Sequence, residues 1–421
     1  MALLSERYAD DGKATYELSD IQRKYIDIYT EKCKSGVYTF RDRSCECGHT
    51  DFEIIGLKDR YGLPVSTVIC KNCGLIMTSP CLSDESNNSF YDNEYHYIYR
   101  NEDKPSDRMF LSRKAYAMSN LVPFIRAHGG PGEGSMLEIG CADGGNVAAF
   151  KEFGYKATGI DLSHTYVEYG KSQGLDLYCS DSTSFSENGT QYDLVFINHV
   201  VEHFTDLQKE FNTIRKLLKD DGCLFIGVPG VRYMTFGAYK ADFLRMLQNA
   251  HIFNFTKTSL CRVMAKYGFS GIFCSEYIQG LFKKDPDALK KIEEYNEYRE
   301  IRDYLQLVED SAGDIPTLLI ARSADKLASF GSGEVILYGT AEELDAFTQH
   351  IPDLSPVKGF FYSDKKTPKE VADFVNSLGC DQAVKCLILI DSKNNKTLKN
   401  GLVENLNIDC DTEIFSLYSE D

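Results

Sequence analysis

Apolar positions recur along the chain with two different periods. Between residues 18 and 29 they fall at Leu18, Ile21, Tyr25, Ile28 and Tyr29, the spacing of one face of a helix. A cluster rich in tyrosine follows at 90–100, and a helix is expected through Arg113, Tyr116, Leu121 and Phe124, ended by the loop Gly129-Gly-Pro-Gly-Glu-Gly134. From Met136 the pattern changes to short apolar runs at 136–139, 157–160, 194–197, 223–228, 271–274 and 317–321, separated by helix-length segments. This alternation predicts a doubly wound α/β fold, a mostly parallel sheet with helices on both faces. A charged helix near 287–309 is expected ahead of the last strand. Beyond a spacer at 329–333, apolar runs at 335–338, 359–362 and 386–391 predict a second, small α/β domain. The chain is thus expected to divide into 1–104, 105–325 and 332–421, and no internal repeat is visible.

Composition narrows the classes of partner. With 421 residues, 43% hydrophobic and 26% charged, the chain can bury two or three cores. A net charge of -17 leaves no excess of cations to neutralise phosphates, which argues against an extended nucleic-acid footprint and favours a small substrate. No apolar run approaches the ~18 residues of a membrane span, and the start is too polar for a secretory signal, so a cytoplasmic protein is expected. Of 14 cysteines, Cys223, Cys261, Cys274 and Cys386 sit singly in apolar surroundings, as buried thiols do.

Four cysteines differ. Cys45-Glu-Cys47-Gly48-His49 and Cys70-Lys-Asn-Cys73-Gly74 are two short knuckles, each followed by glycine and separated by strand-like sequence. Such a pair suits a structural zinc of the ribbon type, bound by Cys45, Cys47, Cys70 and Cys73. The first knuckle is Cys-X-Cys, so His49 could replace either of its sulfurs; a disulfide, free thiols or a metal-free ribbon are the other readings. Four thiolates close the coordination shell, so the zinc is assigned to stability rather than catalysis.

Further candidates lie at the expected carboxyl ends of strands, where open α/β sheets place ligands. The first strand runs into Leu137-Glu138-Ile139-Gly140-Cys141-Ala142-Asp143-Gly144-Gly145, a glycine turn that lets a ligand approach the backbone, with Glu138 placed to meet a cationic amino group. Dinucleotide sites use a near relative of this turn. Asp161, at the tip of the next strand, suits ribose hydroxyls, and Asp181 could take an adenine amino group. Each acidic residue could instead be a solvated loop charge; the ordered set of three favours a nucleoside-bearing cofactor.

These residues, with the stretch Tyr192-Asp193-Leu194-Val195-Phe196-Ile197-Asn198-His199-Val200-Val201-Glu202-His203 and the later Gly222 and Pro229-Gly230, resemble class I S-adenosylmethionine-dependent methyltransferases over roughly 136–324. The resemblance implies a cofactor site lined by Glu138, Gly140, Cys141, Gly144, Asp161, Leu162, Asp181, Ser182 and Asn198, with His199 on the cofactor side. The order of zinc ribbon, tyrosine-rich link, methyltransferase domain and small carboxyl-terminal domain is similar to three-domain deoxysugar C-methyltransferases acting on nucleotide-linked keto sugars. That similarity implies His203 and His251 as catalytic residues, and Tyr95 or Tyr97 as the tyrosine gripping the sugar. It also implies departures: Ala250 stands where that family has glutamate, the first knuckle is shortened, and the last domain is abbreviated.

Methyl transfer needs a nucleophile held in line with the methyl carbon and a group to take its proton. With an ordinary pKa of about 6.5, histidine suits the proton transfer. His251 is expected to be the base and His203 its helper, although both could be structural and the tyrosines could be packing. The expected reaction is S-adenosylmethionine-dependent C- or O-methylation of a sugar, nucleotide-linked or a glycan precursor. Methylation of another small molecule or a macromolecule, and a non-catalytic cofactor- or zinc-binding module, are the competing readings. The turn Leu337-Tyr338-Gly339-Thr340-Ala341-Glu342-Glu343 resembles a nucleotide-binding turn without its later glycines, and its two glutamates make that helix end a poor anion site.

Overall fold

The computed structural model describes residues 3–100, 104–234, 239–275, 278–292, 295–311, 333–350, 354–378, 386–390, 395–406 and 413–416. The chain divides into two compact units, Met1–Met234 with Phe243–Glu309, and Thr235–Asp242 with Asp310–Asp421.

In the first unit, helix α1 (Asp20–Lys34) starts from a capping box in which Ser19 and Gln22 satisfy each other's backbone amides. Its buried face differs from the expected stripe: Ile21 is 47% exposed, whereas Gln22 is buried and donates to the Ile98 carbonyl at 2.8 Å. The polar side chain wins the interior position because it finds a buried backbone acceptor. Strands β1 (Phe52–Lys58), β2 (Pro64–Cys70) and β3 (Ile76–Thr78) form an antiparallel meander carrying the cysteine knuckles. Its fourth strand is borrowed from far along the chain: Phe253–Asn254 pairs antiparallel with Met77 and Ile76.

The large sheet holds seven strands: β4 (Ser135–Ile139), β5 (Lys156–Asp161), β6 (Asp176–Cys179), β7 (Tyr192–Asn198), β8 (Leu218–Gly227), β9 (Phe269–Cys274) and β10 (Gln279–Lys284). Their spatial order is β9-β10-β8-β7-β4-β5-β6. β6, β5, β4, β7 and β8 run parallel, and β10 is antiparallel to both neighbours. Side chains alternate between two cores, Leu137, Ile139, Val195, Ile197, Leu224 and Ile226 on one face and Met136, Leu194, Phe196, Cys223 and Phe225 on the other. Both faces are therefore buried, and the first core continues without a break into Val68, Leu75 and Met77 of the ribbon.

The described sheet holds a β9–β10 antiparallel pair that the apolar runs did not announce, and the charged helix expected near 287–309 is present as Tyr298–Asp310. Gln279-Gly-Leu-Phe-Lys-Lys284 escaped notice because only Gly280, Leu281 and Phe282 are buried. The run expected at 317–321 lies outside the described residues.

The second unit contains a parallel sheet of β11 (Val335–Gly339), β12 (Val357–Tyr362), β13 (Cys386–Ile390) and β14 (Glu413–Ser416), in the order β12-β11-β13-β14. Gly339 has no room for a side chain, because a Cβ there would overlap the Ile390 carbonyl. Thr340 caps the helix that follows, accepting from the Glu343 amide at 3.3 Å. Asp391, expected at the end of the third run, lies outside the described residues.

One fully buried carboxylate ties the first unit together. Asp59 accepts from the amides of Tyr61 (2.8 Å) and Leu63 (3.0 Å) on one oxygen, and from the Asn249 amide (3.1 Å) and the Tyr99 hydroxyl (2.8 Å) on the other. Ribbon, tyrosine-rich link and the segment before His251 thus meet on one side chain. Asp59→Ala, which leaves these donors unsatisfied, is expected to lower stability by about 2–4 kcal/mol, measured by denaturant unfolding followed by circular dichroism. A loss below about 0.5 kcal/mol, the scale of an ordinary surface change, would contradict that role.

Candidate functional site

Because β4 lies between β5 and β7, the carboxyl ends of all three meet at one edge. The chain leaves β4 through a turn with positive φ at Gly140 (78°), Ala142 (48°) and Gly144 (81°), then enters helix α2 (Gly145–Glu152). Gly140 is required twice, for its backbone conformation and because a Cβ would overlap Val200 in the loop after β7. Asp143, fully buried in the same turn, is paired at 2.7 Å with Arg113 from the helix Asp107–Tyr116. The turn is thus fixed from two sides before any ligand arrives.

Glu138 is 2% exposed. Its Oε1 accepts from Asn146 Nδ2 at 2.7 Å, while Oε2 is buried with no hydrogen-bond partner among the described residues. Burial pushes its carboxyl up to about 8. A cationic donor brought to this oxygen would satisfy it. Asp161 accepts the Ala142 amide on one oxygen and the Ser163 amide on the other, both at 2.8 Å, so it shapes the glycine turn and keeps further acceptor capacity on each oxygen. These features fit a ligand with an ammonium end and ribose hydroxyls.

The other residues expected on the cofactor side are placed as follows. Cys141 is buried against β5, where a Cβ on Gly159 would lie 2.8 Å from its sulfur. Leu162, 76% exposed, stands at the rim. Asp181 caps the helix Ser182–Ser186, accepting from the Ser184 amide (2.9 Å) and hydroxyl (2.8 Å), and that amide holds its carboxyl below the usual range. Ser182 is buried and donates to Glu210 at 2.7 Å. Asn198 ends β7 over Gly227, where a side chain would overlap its amide oxygen. His199 follows at φ 58°.

A second group gathers beyond β7. Glu202 and His203 lie on the 3-10 turn Val201–His203, and His251 precedes the strand shared with the ribbon. The Ile252 amide donates to the Glu202 carbonyl (2.8 Å), and the Thr78 hydroxyl donates to the His251 carbonyl (3.0 Å). His203 Nδ1 donates to the Ala250 carbonyl at 3.0 Å and lies 2.8 Å from the Tyr91 hydroxyl. The rings of His203 and His251 meet edge to face with centroids 4.8 Å apart. His251 is buried, and that burial, reinforced by His203, holds its pKa well below the ordinary value, so the ring is neutral near pH 7.

The tyrosines separate by face on a π-helical segment, Tyr91–Arg100. Tyr95 packs on Tyr91 (4.5 Å between centroids) and meets His203 edge-on at 6.3 Å. Tyr97 turns to α1 and stacks on Tyr25 at 3.9 Å. Sequence reasoning overlooked Tyr91, Glu202 and Asn146. The four-residue spacing of Tyr91 from Tyr95, and the position of Glu202 beside His203, were the available signals.

In the ribbon, one ligand atom from each of Cys45, Cys47, Cys70 and Cys73 lies within 4.8 Å of every other. The sulfurs of Cys45 and Cys73 are 3.4 Å apart and those of Cys47 and Cys70 3.6 Å. All four are free thiols, near the edge of about 3.8 Å that a tetrahedron with 2.3 Å zinc–sulfur bonds requires. His49 borders the group from outside, its Nδ1 3.6 Å from the Cys47 sulfur. Hydrogen bonding among the thiols raises the Cys45 thiol and lowers that of Cys70, so the group favours a thiolate at Cys70.

Residues 110–272 match the family model described as a methyltransferase domain. The chain is 23% identical over 108 residues to a ubiquinone biosynthesis O-methyltransferase of Bartonella tribocorum, covering 24% of this chain and 44% of that protein. It is 30% identical over 133 residues to phosphoethanolamine N-methyltransferase 2 of Caenorhabditis elegans, covering 28% of this chain and 30% of that one. The matched stretch therefore spans less than half the length of either relative. Among solved structures, a 1,6-didemethyltoxoflavin-N1-methyltransferase of Burkholderia thailandensis aligns with a TM-score of 0.36 at 17% identity, over 50% of this chain and 96% of that one. By its family match, residues 110–272 form a methyltransferase domain of the class I, S-adenosylmethionine-dependent kind.

Proposed function

We propose that this chain transfers a methyl group from S-adenosylmethionine to carbon or oxygen of a sugar, nucleotide-linked or a glycan precursor. The observation that carries the reading is the paired imidazoles of His203 and His251, backed by Tyr91 and held beyond the same strand, β7, that borders the glycine turn. S-adenosylmethionine, when bound, supplies an electrophilic methyl carbon. Glu138 receives its amino group and Asp161 its ribose. The neutral imidazole of His251 takes part in removing the acceptor's proton, His203 is oriented for the same task by Ala250 and Tyr91, and Tyr91 and Tyr95 offer aromatic faces and hydroxyls to a sugar. Asp181 and Ser182, already engaged in a helix cap, border the far end of the cofactor.

We further assign a structural zinc to Cys45, Cys47, Cys70 and Cys73. Their sulfur spacing and the absence of a bond between them support it. The ribbon's core is continuous with that of the large sheet, so this metal would stabilise both.

Calorimetry with S-adenosylmethionine, S-adenosylhomocysteine and NAD tests the cofactor. The first two are expected to bind and NAD not, and Asp161→Ala should weaken binding about 10- to 100-fold, since it removes a charged acceptor. Preference for NAD would refute the reading. His251→Ala should abolish turnover of a keto-sugar nucleotide while leaving cofactor affinity within about threefold; full activity would exclude the histidine from the chemistry.

Glu138 gives the same binding a pH signature. Its carboxyl is protonated below about 8 in the free protein, and pairing with an ammonium requires the carboxylate. Binding near neutral pH should therefore release a proton, seen as a dependence of the calorimetric heat on buffer ionisation, and affinity should rise as pH climbs toward 8. Heat independent of buffer would contradict this assignment.

For the ribbon, replacing Cys70 and Cys73 together by serine should remove about one equivalent of zinc by elemental analysis and lower the melting temperature. Equal zinc content in variant and parent would sink the assignment.

A further inference from the structure

Glu202 is 1% exposed, and neither of its carboxylate oxygens accepts a hydrogen bond among the described residues. The nearest described basic group is Nδ1 of His199, 3.4 Å from Oε1. A carboxylate buried in this way is unstable without a cation or a proton. What surrounds it is a set of donors: one ligand atom each from Glu202, His203 and His251 lies within 4.8 Å of the others. Glu202 and His203 come from one turn and His251 from another segment, and the two are locked by the Ile252 amide on the Glu202 carbonyl and by His203 Nδ1 on the Ala250 carbonyl. That second bond fixes ring orientation from behind, as carbonyls do for metal-bound histidines. Arg60, whose charge reaches His251, is itself turned onto Tyr61 and the Arg245 carbonyl.

We propose that Glu202, His203 and His251 bind one divalent transition-metal ion, which takes an oxygen of the methyl acceptor as a further ligand. Two imidazoles and a carboxylate suit manganese, iron, cobalt or zinc better than magnesium or calcium. This rests on the methyl-transfer reading and deepens it: the histidine pair acts through the cation, which lowers the pKa of the acceptor hydroxyl. The hydroxyl proton passes to His199, which is 54% exposed at its side chain, and on to solvent. The acceptor oxygen then forms a bond to the methyl carbon as the carbon–sulfur bond breaks. Its electron pair stays on sulfur, leaving the neutral thioether. The acceptor atom is thereby an oxygen.

The test uses the full chain with its ribbon zinc in place, titrated with Mn2+ and followed by loss of the free-ion paramagnetic resonance signal. About one Mn2+ should bind per chain, and Glu202→Gln and His251→Gln should each weaken it at least about tenfold while S-adenosylmethionine affinity stays at the parent value. Chelator treatment should remove O-methyl transfer, and added Mn2+ or Co2+ should restore it. If S-adenosylmethionine binds, turnover survives chelation and no Mn2+ binds, the metal site is wrong and methyl transfer stands. If Mn2+ binds as expected but S-adenosylmethionine does not, the metal site stands and the methyl-transfer reading falls. Should either variant fail to fold, the visible spectrum of the Co2+-loaded parent decides. Bands of a nitrogen- and oxygen-ligated ion support the site, and thiolate-to-cobalt bands alone overturn it.

Discussion

The pairing of Phe253–Asn254 with Ile76 and Met77 is the interaction on which the first unit depends. It makes the ribbon's sheet complete only by taking a strand from the methyltransferase domain, and it fixes His251, two residues before that strand, between Thr78 and Glu202. A histidine on a free loop would sample many positions and lose entropy on binding a ligand. Here the ladder has already paid that cost, and Asp59 repeats the arrangement at Asn249. The ribbon is accordingly part of the support of the candidate site, joined to it by backbone hydrogen bonds as well as by a common core.

Buried acids organise the strand ends, each compensated differently. Asp143 has an ion pair with Arg113, Asp59 has four donors, Glu138 has one amide donor and one oxygen without a hydrogen bond among the described residues, and Glu202 has imidazoles nearby but accepts no hydrogen bond among the described residues. The compensated pair holds structure. The two left short are the ones expected to change partner when a ligand arrives, because a buried carboxyl with an unused oxygen gains most from a positive group that can reach it.

Much of this was legible in the sequence. Alternating apolar runs gave the central parallel strands, since both faces of that sheet are buried and every second residue enters one of two cores. The glycine turn could be placed because positive φ at Gly140 and Gly144 is a conformation glycine favours, and Asp161 because it ends an apolar run. What could not be read was contact between distant segments. Gln22 replaced Ile21 in the interior because the Ile98 carbonyl lies opposite, and Tyr91 and Tyr95 meet His203 from a separate part of the chain. The strand Gln279–Lys284, paired between β9 and β8, carries too few buried positions to announce itself. Glu202 was visible beside His203, but that its carboxylate is buried without a hydrogen bond among the described residues is a fact of three dimensions.

The borrowed strand also sets an order for biosynthesis. Residues 52–78 leave the ribosome long before Phe253 and Asn254, so the ribbon emerges with β3 as an open edge. Capture of the proposed zinc would be open to the chain before that closure, because all four thiols have been synthesised by residue 73. The open edge must then be kept from pairing with other nascent chains until the partner arrives, and Asn249 completes the cage of Asp59 at nearly the same moment. Maturation of the site at His251 is therefore a late event in the life of the chain, gated by translation past residue 254.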